Sequence, residues 1–156
     1  MSRELRQAYL GTLITLLAQF LLGMVTNLFV DIPKDHPGAN PTEYFTGVAQ
    51  NVIWAIFRGP SLWLALHVIL GLALVIFGFR LLFLTFRSHH RPTVIISIVG
   101  AIAMLVAGFN GGSFLNYHED FSSMIMAGFF AIAVAAYVIG LFALPPQQES
   151  PTQAAR

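Results

Sequence analysis

The chain has 156 residues, of which 56% are hydrophobic and only 10% are charged, and its formal net charge is +1. Because charged residues make up about 25% of ordinary soluble domains, this composition predicts a surface mostly in contact with lipid. The charges form no basic cluster, which argues against a nucleic-acid partner. The absence of cysteine excludes disulfides, thiolate metal sites and cysteine-linked lipid anchors.

Four long apolar stretches predict the fold class, an all-α membrane protein with four transmembrane helices. Each approaches the roughly 20 residues that a helix needs to cross a hydrocarbon core of about 30 Å. We expect a single membrane domain over residues 1–144 and a disordered cytoplasmic tail over residues 145–156. The predicted spans are residues 9–30, 62–86, 94–109 and 122–144.

The first apolar stretch follows Arg3 and Arg6, as in a secretory signal, but it is too long for one and no small-residue cleavage site follows it. We therefore expect a retained helix. Within it, Thr12, Thr15 and Gln19 follow i, i+3, i+7 spacing and form one polar stripe. Such a stripe favours hydrogen bonds to a neighbouring helix over contact with a ligand.

The segment between the first two spans contains the only sizeable loop. Three prolines and a glycine among residues 33–41 predict a rigid, turn-rich connection. From Tyr44 to Phe57, apolar residues recur at helical spacing opposite Gln50 and Asn51. This pattern predicts a short amphipathic helix that lies on the outer interface or caps the bundle.

The second span contains His67, and an ionisable side chain inside a membrane span is a functional-site hypothesis by default. Gly71 and Gly78 lie on the same face and leave room for a flat ligand. One hypothesis is a haem b centre with His67 and His118 as axial ligands above the two glycines. Depth argues against that pair, because helix lengths place His118 about 10 Å nearer the water than His67. The alternative is a structural His67, hydrogen-bonded to a carbonyl or a polar partner.

Other polar and small residues support weaker expectations. The glycine-rich segment 108–113 predicts the end of the third helix, and Ala127, Ala131 and Ala135 form a small-residue seam in the fourth. The paired His89 and His90 are expected in a solvated turn beside lipid head groups. Several acidic and histidine side chains could converge on Zn²⁺, Cu²⁺ or Ca²⁺, but their spacing matches no metal motif and a solvated rim is expected. They are Asp31, Asp35, His36, His118, Glu119 and Asp120.

The distribution of Arg and Lys predicts the orientation. By the positive-inside rule, the side with more Lys and Arg is cytoplasmic. Lys34 and Arg58 are alone on one side, so both termini are expected in the cytoplasm, with the chain in the cytoplasmic membrane. The arginines on the cytoplasmic side are Arg3, Arg6, Arg87, Arg91 and Arg156.

Two strings resemble those of a group of uncharacterised bacterial four-helix membrane proteins. They are His36-Pro37-Gly38-Ala39-Asn40-Pro41 and the segment from Gly108-Phe109-Asn110-Gly111 through Ser122-Ser123-Met124-Ile125-Met126-Ala127. The resemblance spans nearly the whole chain. It implies the architecture and carries over no functional residues.

Two functions remain in competition. We expect a non-enzymatic accessory or interaction subunit whose partners are the bilayer and either a membrane protein or a second copy. The alternative is a haem-binding redox or haem-handling protein. Catalysis by a serine is disfavoured because no nucleophile elbow is present, and transport is disfavoured because charge is nearly missing from the spans.

Overall fold

The computed structural model describes residues 2–144, so the predicted tail over 145–156 lies outside the described residues. Within them the chain is all-helical, with five helices. Four are 23 to 28 residues long and apolar enough to cross a membrane, which confirms the four predicted helices and suggests a multi-pass membrane protein. The helices are α1 (Ser2–Phe29), α2 (Tyr44–Phe57), α3 (Leu62–Ser88), α4 (Arg91–Tyr117) and α5 (Asp120–Phe142).

The four long helices pack as a ring, in which α1 contacts α3 and α5, and α4 contacts the same two helices. The short helix α2 packs across α3 and α4 at one end of the bundle. We call this end the α2 end. The opposite end contains Ser2 and Phe142.

The expected end of the third long helix at residues 108–113 is wrong, because α4 continues to Tyr117. A glycine in a helix costs only about 1 kcal/mol, whereas an interrupted backbone in lipid leaves polar groups without partners at several kcal/mol each. The glycines also make room for neighbours. A Cβ on Gly111 would lie 3.3 Å from Met126 Sδ, and one on Gly112 would lie 3.0 Å from Val48 Cγ2.

Helix α2 occupies the expected residues, but its burial follows the expected pattern only in part. Gln50 is exposed, as expected, and Val48 lies against Gly112. Asn51, expected on the polar face, is fully buried, whereas Phe45 and Phe57, expected on the apolar face, are 64% and 77% exposed. The burial of Asn51 is explained by its hydrogen bonds to other segments, since a buried amide needs such partners.

The core is closed at the end opposite α2 by two tyrosines. Tyr9 and Tyr137 are fully buried and meet edge to face with 6.1 Å between ring centroids. Tyr9 shares a 2.6 Å hydrogen bond with Ser97 Oγ. Gly140 and Gly100 lie directly against the Tyr9 and Tyr137 rings, respectively. Glycine is required at these two positions because a side chain would occupy the place of a ring.

Towards the α2 end the bundle is less tightly closed. Gly108 shares a face of α4 with the buried Ala101 and Met104, yet it is exposed, and a Cβ there would meet no described atom within 4 Å. Phe20, one turn after the buried Leu16, is 47% exposed. The core-facing sides of α1 and α4 are therefore more open in this half of the bundle.

Candidate functional site

His67 projects from α3 towards α1. Gln19 Nε2 lies 3.1 Å from the His67 carbonyl oxygen, to which it donates, and 3.3 Å from His67 Nε2. The same amide can donate to Nε2 only if that nitrogen is unprotonated, so this geometry corresponds to the tautomer with the proton on Nδ1. The predicted interhelical bond of Gln19 is confirmed.

The imidazole of His67 fits against α1 because Gly23 has no side chain. A Cβ on Gly23 would lie 3.0 Å from His67 Cε1 and 3.5 Å from Nδ1. His67 Nδ1, Gln19 Oε1 and Thr26 Oγ1 are buried atoms without a hydrogen-bond partner among the described residues. This α1–α3 seam therefore offers one N–H donor, one carbonyl acceptor and one hydroxyl, which suit a water molecule or a polar group of a ligand.

The two glycines of the haem hypothesis face side chains of other helices. A Cβ on Gly71 would lie 3.3 Å from Gln19 Nε2. One on Gly78 would overlap Met104 Cε and lie 3.4 Å from the Tyr137 hydroxyl. The stripe that was predicted to cradle a porphyrin is thus packed against α1, α4 and α5.

His118, the second predicted haem ligand, ends α4 in the left-handed conformation with φ of 55°. Its ring lies 5.6 Å from the ring of His36 and 6.0 Å from that of Phe114, measured between centroids. His36 in turn stacks on Trp54 with a centroid distance of 4.1 Å and an angle of 9°. The structure thus pairs His118 with His36, whereas the contacts of His67 are with α1.

A buried asparagine pair that the sequence analysis missed fixes α2 and its loop to α4. Asn51 Nδ2 donates to Asn116 Oδ1 and, at 3.2 Å, to the Gly38 carbonyl. Asn116 Nδ2 donates to the Tyr44 carbonyl at 3.3 Å, and the Asn116 carbonyl accepts from the Asn40 backbone N–H at 2.7 Å. Both asparagines are fully buried. The sequence signal that could have indicated this pair is an asparagine beside apolar residues in each of the two segments.

Glu43 caps the first turn of α2. Its carboxylate accepts hydrogen bonds from the backbone N–H groups of Phe45 at 2.9 Å and Thr46 at 2.6 Å. Hydrogen bonds from the Thr46 side chain, and then from these two N–H groups, lower the pKa of Glu43 below its usual value. The charged form of Glu43 is therefore the one that stabilises the start of α2.

Within residues 2–144, no group of three or more histidine, aspartate or glutamate side chains is placed to hold a metal ion. All four acidic residues predicted at the rim are exposed, namely Asp31, Asp35, Glu119 and Asp120. The two histidines of the rim, His36 and His118, are half-buried.

No protein-family model, no curated protein and no solved structure matches this chain.

Proposed function

We propose that the chain is an accessory subunit of the bacterial cytoplasmic membrane that binds a partner through the outward face of α5. Both termini are cytoplasmic in this proposal, and α2 lies in the outer half of the bilayer. Five arginines on one side against Lys34 and Arg58 on the other support the orientation. Reporter fusions at Arg156 and within residues 35–41 test it, and a cytoplasmic signal from the loop would refute it.

The position of α2 agrees with a bilayer environment. The Tyr44 hydroxyl donates to the Phe109 carbonyl at 2.7 Å, and Phe109 precedes Tyr117 by eight residues in α4, or about 12 Å along the axis. A helix of 27 residues is about 40 Å long and exceeds the hydrocarbon core by about 10 Å. If the excess is shared equally, the Phe109 carbonyl lies about 7 Å inside the hydrocarbon, and the Tyr44 side chain reaches it from the interface, where the exposed and charged Glu43 requires the start of α2 to lie. The outward-facing Phe45, Ile53 and Phe57 suit this interface.

The observation that carries the accessory function is the position of the alanine seam of α5. Ala127, Ala131 and Ala135 are all exposed, so the bundle does not use this seam for its own packing. Gly128 beside it is also exposed, and a Cβ there would meet no described atom within 4 Å. In lipid, close approach of backbones drives helix association, and small residues at i, i+4 spacing permit that approach. The seam therefore suits a transmembrane helix of a partner protein.

Site-specific photo-crosslinking in native membranes tests this proposal. A benzoylphenylalanine at Ile132, a large residue beside the seam that is 45% exposed, should give one discrete protein adduct. The same probe at Val99, which is also 45% exposed but on α4, should react with lipid alone and is the matched control. The adduct at Ile132 should disappear when Ala127→Phe blocks the seam. Equal patterns at both positions would refute the accessory function.

The haem-binding alternative stays a prediction. An imidazole in a long apolar helix supports it, since imidazole nitrogen is a common iron ligand. However, Nε2 of His67 faces Gln19 and Nδ1 carries the proton in the tautomer described above, so iron ligation would require the other tautomer. The filled faces of Gly71 and Gly78 make it the weaker candidate, because a porphyrin would have to displace Gln19 and Met104. If it is correct, protein expressed with ample haem should have a Soret band that His67→Ala abolishes and the control His89→Ala retains.

A further inference from the structure

The nitrogen Nε2 of His36 is arranged as in a metal-binding histidine. His36 Nδ1 lies 3.2 Å from the Pro37 carbonyl oxygen, to which it donates. That bond leaves the lone pair on Nε2, which is buried and has no partner among the described residues. A histidine that ligates a metal characteristically donates its other N–H to a backbone carbonyl in this way. The stack on Trp54 also fixes the plane of the His36 ring.

His118 presents a second buried imidazole nitrogen from a different element. Its backbone N–H donates to the Phe114 carbonyl at 2.7 Å, which holds the left-handed residue at the end of α4. His118 Nε2 is also buried without a partner among residues 2–144. Two orphaned imidazole nitrogens in contacting rings are costly unless something binds them.

The distance between the two rings agrees with a shared ion. A bound imidazole nitrogen lies about 2.1 Å from the ion and about 1.1 Å from its ring centroid, so two rings on one ion have centroids about 4.5 Å apart at about 90°, about 5.2 Å apart at the tetrahedral angle and about 6.4 Å apart when linear. The centroids of His36 and His118 are 5.6 Å apart with the planes inclined by 51°. This separation is inside the expected interval.

We propose that His36 and His118 bind a single copper ion. Imidazole suits copper, and for a given set of nitrogen ligands Cu²⁺ binds more tightly than the other first-row divalent ions. The lack of a third histidine, aspartate or glutamate among the described neighbours argues against a closed structural zinc site, which takes four protein ligands. The remaining copper positions are open to water or to an exchanging ligand. Trp54 shields one side of the site from solvent.

The test uses full-length protein in nanodiscs, purified through an affinity tag without histidine and titrated with Cu²⁺. We expect one ion per chain, an electron paramagnetic resonance spectrum with coupling to two nitrogens, and quenching of Trp54 fluorescence. Trp63→Phe should leave this quenching intact. The chain has five histidines, and two of them, His89 and His90, lie together in the turn between α3 and α4. His89→Ala is therefore the control for adventitious Cu²⁺ binding at that turn.

Two variants remove a ligand while preserving the local structure. His36→Phe keeps an aromatic ring stacked on Trp54, and His118→Asn keeps a residue that tolerates the left-handed conformation. Each should weaken Cu²⁺ binding at least about 100-fold, since even the loss of an outer partner of a metal ligand costs 10- to 100-fold. Unchanged one-to-one binding in either variant would overturn the proposal. Binding that depends on His89 would also overturn it.

Discussion

Replacing Gly100 by alanine should destabilise the bundle, although alanine is the better helix former. A Cβ at this position would lie 2.5 Å from Tyr137 Cε1 and 2.6 Å from Cζ, against an ordinary carbon–carbon contact of about 3.5 to 4.0 Å. Tyr137 is fully buried against Tyr9 and cannot withdraw. Such overpacking costs about 1 to 3 kcal/mol and outweighs the gain of about 0.5 to 1 kcal/mol from replacing a helical glycine. We expect a net loss of about 1 to 2 kcal/mol in the free energy of unfolding.

The matched control is Gly108→Ala in the same helix, where a Cβ would meet no described atom within 4 Å. It should leave stability unchanged or raise it, because only the helix propensity changes. Reversible unfolding in mixed micelles by sodium dodecyl sulfate measures both. The cost of Gly100→Ala should shrink in a Tyr137→Leu background, where the clashing ring is removed. Equal stability of the two glycine variants, or an undiminished cost in that background, would refute the steric argument.

Three further predictions concern polar groups. Asn116→Ala leaves the Tyr44 carbonyl without its partner and should lower the free energy of unfolding by about 2 to 4 kcal/mol or expose the loop to proteolysis. The control Asn110→Ala removes only a bond within its own helix and should lower it by under about 1 kcal/mol. Equal losses would contradict the role of the buried pair. Because the folded pKa of Glu43 is lowered, its stabilisation of α2 is present above the unfolded pKa and lost as the pH falls through the folded one. The protection of the first amides of α2 against hydrogen exchange, relative to their intrinsic rate at each pH, should therefore fall on acidification in wild type and show no such step in Glu43→Gln. Gln19→Leu should lower stability by about 0.6 to 2 kcal/mol through the lost bonds to the carbonyl and the imidazole of His67. Unchanged stability would argue against these bonds, whereas full additivity with His67→Leu, which keeps the carbonyl, would argue only against the bond to the imidazole.

The four long helices could be predicted because their cause is local. Length and hydropathy decide whether a segment can satisfy its backbone inside lipid, and both are legible in the sequence. The break expected at residues 108–113 failed for the same reason. A glycine run that would end a helix in water continues it in lipid.

The candidate sites depended on contacts between distant segments, which spacing does not encode. Asn51 and Asn116 are 65 positions apart, and nothing in either segment identifies the other as its partner. The bond of Gln19 to α3 was predictable in kind, since a polar stripe on an apolar helix needs an interhelical partner. The pairing of His118 with His36 was not predictable, because it depends on how the proline-rich loop folds back onto the end of α4.

The burial of Asn51 has a consequence for the biogenesis of the protein. During synthesis at about 5 to 20 residues per second, roughly 3 to 13 s separate the appearance of Asn51 from that of Asn116, which follows 65 positions later. Throughout this interval the amide of Asn51 has no partner on α4, and only the Gly38 carbonyl of its own segment can accept from it. If the four long helices cross a membrane, α2 takes up its final position only after α4 has been inserted.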